Sequence, residues 1–244
     1  MTVSQEKPLN PKAKKLVSQK PEFTCDYCKK SYARENTFLV HMCEQKRRWL
    51  DQDHKHVKLG FSVFKRFHEV NYRGRKEKTY AEFMDSQFYT SFVRFGKYLI
   101  NLNAIKPKDF VEFLIRTEVK LDKWENRIVY ETYVRELNKK ETPEAAVERN
   151  FLLMQQWAND TGEQWIDFFR KIHPNLATQW IGSGRISPWI LFTASSASDM
   201  FARLSDEQLD IVHKNVDPDF WAVRLRRSAE DVESIREELD RAGL

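Results

Sequence analysis

From residue 60 onward, apolar residues recur at the three- and four-residue spacing of a helix face. In GFSVFKRFHEV the repeat falls on Phe61, Phe64, Phe67 and Val70, and in FYTSFVRFGKYLINL on Phe88, Phe92, Phe95 and Leu99. WENRIVYETYVREL places Trp124, Ile128, Val134 and Leu137 on one stripe, with Tyr130 or Tyr133 widening it. Such stripes predict amphipathic helices that bury one face against their neighbours. End signals agree. Thr142 stands as an N-cap before Pro143, with Glu144 and Glu148 near the positive end of the helix dipole. Ser205 is an N-cap ahead of Glu207 and Asp210, and Gly243 is a C-cap. With seven glycines, no strand-length alternation and no repeat, this part of the chain reads as an all-α body of about nine to twelve helices.

The N-terminal part has a different pattern. All three cysteines fall in FTCDYCKKSYARENTFLVHMC, residues 23–43, ordered Phe23-x-Cys25-x2-Cys28-x3-Tyr32-x5-Phe38-x2-His41. Two cysteines three apart on a tight turn can aim both sulfurs at one tetrahedral metal. About a dozen further residues complete a hairpin and enter a helix from which His41 faces back. Phe23, Tyr32 and Phe38 then supply a small apolar core, and metal binding supplies the rest of the folding energy.

In these three ligands and three core positions the segment resembles the C2H2 zinc-finger family, which implies Zn2+ and a ββα fold. The fourth ligand departs from that family, because Gln45, Lys46 and Arg47 stand where its second His or Cys would be. Cys43 is favoured instead. It lies two residues after His41, about 200° around a regular helix, so the helix must end or distort there. His54 or His56 in DQDHKH is the alternative. The expected fold is therefore mainly α: a flexible basic tail over 1–20, a zinc-finger module over 21–50, and an all-helical domain over 51–244 that can divide into lobes near 51–140 and 141–244.

The charge is unevenly spread. Residues 1–78 hold 19 Lys and Arg against 9 Asp and Glu, and residues 79–244 hold 22 against 27. A cationic end on a more acidic body points to a polyanionic partner. Arg34 and Asn36, at the start of the finger helix, are suited to base edges. Lys46, Arg47, Arg48 and Trp49 in KRRW, and Arg73, Arg75 and Lys76 in YRGRKEK, interleave aromatic rings with cations. Single-stranded nucleic acid binds that way, with bases on rings and phosphates on Lys or Arg. One finger contacts about three base pairs, so it adds affinity rather than an address.

Other chemistry is missing from the sequence. There is no GxxxxGK[ST] phosphate loop, and IGSGRIS sits between helical segments instead of after a strand. No Ser–His–Asp or Cys–His set has a recognisable context, so no catalytic residue is assigned. The enzymatic alternative is a metal-dependent nuclease around Asp51, Asp53, His54 and His56. No apolar run reaches the roughly 18 residues that span a bilayer, and MTVSQEKPLNPKAKK lacks a secretory signal. A soluble, intracellular protein is expected, in the host cytoplasm if viral.

Residues 85–210 resemble the helicase-loading proteins of T-even-type bacteriophages in the order and patterning of VYETYVREL and HPNLATQWIGSGRISPWILF. The finger lies outside that family's pattern. The resemblance implies a non-catalytic protein of DNA replication that binds forked and single-stranded DNA, contacts a single-strand-binding protein and recruits a replicative helicase. The alternative is a zinc-finger protein-interaction module, such as a transcription or assembly factor.

Overall fold

The structure, a computed structural model, describes residues 23–72 and 76–244. The expected tail over 1–20, together with Arg73 and Arg75, lies outside the described residues. The chain separates into two units, with the break between Asp53 and His54.

The first unit holds the only strands among the described residues, β1 (Phe23–Thr24) and β2 (Ser31–Tyr32). They pair antiparallel, with Phe23 opposite Tyr32 and Thr24 opposite Ser31. α1 (Glu35–Leu39) and α2 (Glu44–Leu50) follow, then a 3-10 turn at Asp51–Asp53. Phe23 stacks on Phe38 with ring centroids 5.9 Å apart, and Tyr32 tilts against Phe38 at 6.2 Å. These three rings are only half-buried, and Cys25 is the one buried residue of the unit among those described.

The second unit is all helical. Its first half contains α3 (Lys55–Asn71), α4 (Tyr80–Met84), α5 (Tyr89–Leu102), α6 (Pro107–Arg116) and α7 (Arg127–Lys140). α8 (Pro143–Thr161), α9 (Phe168–Lys171), α10 (Pro174–Gly182) and α11 (Pro188–Leu191) follow. α12 (Ala197–Phe201), α13 (Asp206–Val216), α14 (Pro218–Arg227) and α15 (Ala229–Ala242) complete it. These thirteen helices exceed the expected nine to twelve because α4, α9, α11 and α12 run only four or five residues. One turn is too short to display a 3.6-residue period. All five prolines among the described residues open a helix, where the missing N–H costs nothing. Thr142, Ser205 and Gly243 cap as expected; Ser205 forms a reciprocal capping box with Gln208.

Two hydrophobic clusters fill this unit. One gathers Val57, Phe64, Phe92, Phe95, Phe110 and Trp124; the other gathers Met154, Trp157, Phe168, Phe169, Trp189 and Trp221. In the first, α3 crosses α5 at backbone contact. A methyl group on Gly60 would lie 2.6 Å from the carbonyl oxygen of Phe92, and one on Gly96 2.2 Å from that of His56.

Two stripes differ from expectation. Ile128 is 67% exposed, and the packed face of α7 runs through Tyr130, Tyr133, Val134 and Leu137. The tyrosines win the core side because their hydroxyls find partners there. Tyr133 donates to the Ile105 carbonyl at 3.0 Å, and Tyr130 accepts from the Ile105 amide at 3.0 Å. Trp124 is buried ahead of α7, its indole N–H donating to the Val119 carbonyl. Phe88 precedes α5 and is exposed, so that helix buries Tyr89, Phe92, Phe95, Gly96 and Leu99.

The two clusters meet at a polar joint. Arg149 holds both carboxylate oxygens of Glu141, at 2.9 and 2.8 Å, and donates to the carbonyls of Gly184 and Arg185 at 2.9 and 2.5 Å. The buried Glu141 carboxylate also accepts from the Ser187 hydroxyl at 2.7 Å, and its carbonyl from the Trp189 indole. The glycine-containing IGSGRIS stretch is thus a joint between packed helices.

Candidate metal centre and nucleic-acid interface

The β1–β2 turn brings Cys25 and Cys28 together through two backbone hydrogen bonds. The Lys29 amide donates to the Cys25 carbonyl at 2.8 Å, and the Cys25 amide to the Lys30 carbonyl at 3.0 Å. Closing the turn requires Lys29 in the left-handed region at φ 59°. α1 then stops at Leu39. Residues 41–43 are not helical, and Cys43 is extended (φ −81°, ψ 166°) as the N-cap of α2. The helix therefore ends where a two-residue spacing between His41 and Cys43 demands it. The Lys46 amide donates to the Cys43 sulfur at 3.3 Å.

As a result, the ligand atoms of Cys25, Cys28, His41 and Cys43 all lie within 4.8 Å of one another, the one such group among the described residues. Cys25 Sγ is 3.9 Å from Cys43 Sγ, and Cys28 Sγ is 3.3 Å from His41 Nε2. Tetrahedral zinc, with bonds of roughly 2.3 Å to sulfur and 2.0 Å to nitrogen, has S–S edges of about 3.8 Å and S–N edges of about 3.5 Å. The cluster could hold a metal ion, and its geometry and soft donors are consistent with zinc. His54, the alternative fourth ligand, stands at the N-cap position of α3 without a side-chain cap, and its ring stacks on His56 at 5.6 Å.

Sequence reasoning placed Tyr32 in the finger core but missed its polar role. Tyr32 Oη lies 2.7 Å from His41 Nδ1. Because Nε2 faces the thiols, the proton of neutral His41 belongs on Nδ1, which donates to the phenol oxygen. That bond fixes both tautomer and ring orientation. Burial, then the charges of the three cysteines, raises the Tyr32 pKa and keeps it a phenol. The Cys25 thiol is lowered chiefly by the Cys28 amide, against burial. At Cys28 the Lys30 amide lowers the pKa, but burial and the adjacent Cys25 and Cys43 sulfurs together raise it.

The expected nucleic-acid residues separate into groups. Arg34, Asn36 and Arg47 are exposed. Lys46 is half-buried, its Nζ 3.4 Å from the His41 carbonyl, and Arg48 pairs with Glu44. Trp49 is 38% exposed, 6.1 Å from the Tyr27 ring, so it is not core. Lys76 is exposed on the rim of a cavity of about 480 Å³ shared with Lys65 and Arg66.

Positive charge is also spread differently within the basic end. Residues 23–53 carry six Lys and Arg against five Asp and Glu, whereas residues 54–78 carry eight against two. Most of the cationic excess thus falls in residues 54–78, and most of the remainder in residues 1–22, which carry five Lys and Arg against two Asp and Glu. On α3, Lys65 pairs with Glu77, and Arg66 with Glu69 and Glu112.

No helix among the described residues is long and apolar enough to cross a membrane. No protein family, curated protein or solved structure matches the chain. The resemblance of residues 85–210 to phage helicase-loading proteins accordingly rests on sequence pattern alone.

Proposed function

We propose that the protein is a zinc-dependent, non-catalytic adaptor that binds single-stranded or forked DNA. The convergence of Cys25, Cys28, His41 and Cys43, with His41 oriented by Tyr32, carries this reading. Zinc holds the finger together, and the cationic stretch from residue 54 to 78 meets phosphates. α1 has five residues and is about 7.5 Å long, too short to lie along a major groove, which favours backbone and base-stacking contact over sequence readout. The helical body positions protein partners. If the phage resemblance holds, these are a replicative helicase and a single-strand-binding protein.

Metal analysis of purified protein, combined with fluorescence anisotropy on single-stranded, forked and duplex oligonucleotides with and without chelator, tests this. One equivalent of zinc, preference for single-stranded or forked DNA, and affinity falling steeply with salt are expected. A flat salt dependence would remove the nucleic-acid reading.

A second reading, a finger that docks on protein, is favoured by one observation. Leu39, Val40, Met42 and Leu50 are 64%, 80%, 56% and 58% exposed within twelve residues. Met42 precedes the N-cap of α2, where an apolar side chain would pack on the fourth helical residue, but that residue is Arg47. Under this reading, forked or single-stranded DNA binds no better than a charge-matched polyanion.

A further inference from the structure

Beyond residue 78 the body is net acidic, yet one of its clefts gathers three cations. It lies between α8 and the connector from α5 to α6, encloses about 470 Å³, and has an aliphatic floor that includes Ala104, Ile105 and Leu153. Arg149, Arg185 and Lys106 line it, with Glu148 on the wall. Arg149 is neutralised by Glu141. Arg185 is different. Its guanidinium is half-buried over the Trp180 ring, 4.2 Å from the centroid, and reaches Gln156 Oε1 only at 3.5 Å. It forms no ion pair among the described residues, and the carboxylate that acts on it, Asp160, does so through charge alone. Burial works against its charge and lowers its pKa. A guanidinium held in place by stacking, partly stripped of water and in no close ion pair is preorganised for the planar, two-point recognition of a phosphate.

We propose that this cleft is a second strand-binding point, in which Arg185 takes a backbone phosphate of a single-stranded nucleic acid, Lys106 flanks it, and the aliphatic floor receives the attached nucleoside. The proposal rests on the nucleic-acid reading above and extends it past residue 78, where net charge alone gives no hint of such contact. Glu148 favours a nucleotide over an acidic peptide. A nucleoside can offer hydrogen-bond donors to this carboxylate, whereas consecutive Asp or Glu side chains would meet it with like charge.

The test uses the full-length, zinc-loaded protein and a short fluorescein-labelled oligothymidylate, with anisotropy read over a range of salt. Arg185→Ala should weaken binding about tenfold and make the log–log salt slope shallower by about 0.7. Lys106→Ala should weaken it in the same direction; this side chain is exposed, so that arm stands even if loss of the ring stack unsettles the Arg185 variant. If folded variants bind within about twofold of wild type with an unchanged slope, the cleft proposal falls and the nucleic-acid reading stands. Wild-type protein that ignores the oligonucleotide at low salt removes both. Oligoglutamate displacing the probe as well as unlabelled oligothymidylate does would reassign the cleft to acidic peptides and overturn the proposal.

Discussion

The phenol oxygen of Tyr32 sits 2.7 Å from Nδ1 of His41, while the other ring nitrogen of that histidine points at the sulfur of Cys28. A residue four positions from the nearest cysteine ligand thereby decides which nitrogen is available to a metal. Tyr32→Phe keeps the ring that packs on Phe38 and removes only the hydrogen-bond partner. It should lower zinc affinity about 10- to 100-fold, the usual cost of losing a partner that orients a ligand. Competition with a chromophoric chelator measures this. Unchanged affinity would mean that backbone alone orients His41.

The α3–α5 crossing yields a second expectation. Gly60 and Gly96 each face a carbonyl oxygen of the opposite helix, and a backbone atom cannot rotate out of the way. Gly60→Ala or Gly96→Ala should cost about 2 kcal/mol or more as the helices are forced apart. Gly162→Ala is the control. Its methyl meets nothing within 4 Å, so only the left-handed backbone at φ 76° is penalised, by about 1 kcal/mol. Urea midpoints of the three variants should rank accordingly.

How much of this was legible beforehand depends on the range over which each feature is encoded. Caps at Thr142, Ser205 and Gly243 are local, and so is the Cys25, Cys28, His41 and Cys43 set, whose spacing alone implied the break after α1. The phase of α7 was not legible. Ile128 and Tyr130 suit a helical stripe equally well, and the choice was made by backbone partners at Ile105, 25 residues away from Tyr130. The polar joint was hidden for the same reason. Glu141, in a run of charged residues, reads as surface until Ser187, 46 positions later, arrives over it. Tyr32 was recognised as an aromatic but not as a hydrogen-bond partner, since apolar patterning carries no information about where a hydroxyl points.

That joint is itself testable. The Glu141 side chain is 0% exposed, and Arg149 supplies its only cation among the described residues. Arg149→Met should destabilise the helical body by about 3–5 kcal/mol, because it leaves a carboxylate buried without its counter-charge. Adding Glu141→Leu should recover a large part of that loss, since two apolar side chains need no desolvated charge. Chemical denaturation of the single and double variants gives the coupling. A single variant within about 0.5 kcal/mol of wild type would show that water reaches the joint.

Metal removal separates the two units most directly. The finger's helices, α1 and α2, contain five and seven residues, against seventeen in α3 and nineteen in α8 alone. Among the described residues the finger has no core beyond three half-buried rings and Cys25, whereas the body has two clusters of buried aromatics. Chelation, or Cys25→Ser, should therefore unfold the finger while reducing the far-UV helical signal only slightly and leaving the main thermal transition in place. Added zinc should reverse the chelator's effect but not that of the mutation. Should the helical signal instead collapse along with the metal, the body would depend on the finger for its folding, and the polar joint and α3–α5 crossing would not suffice to hold it together.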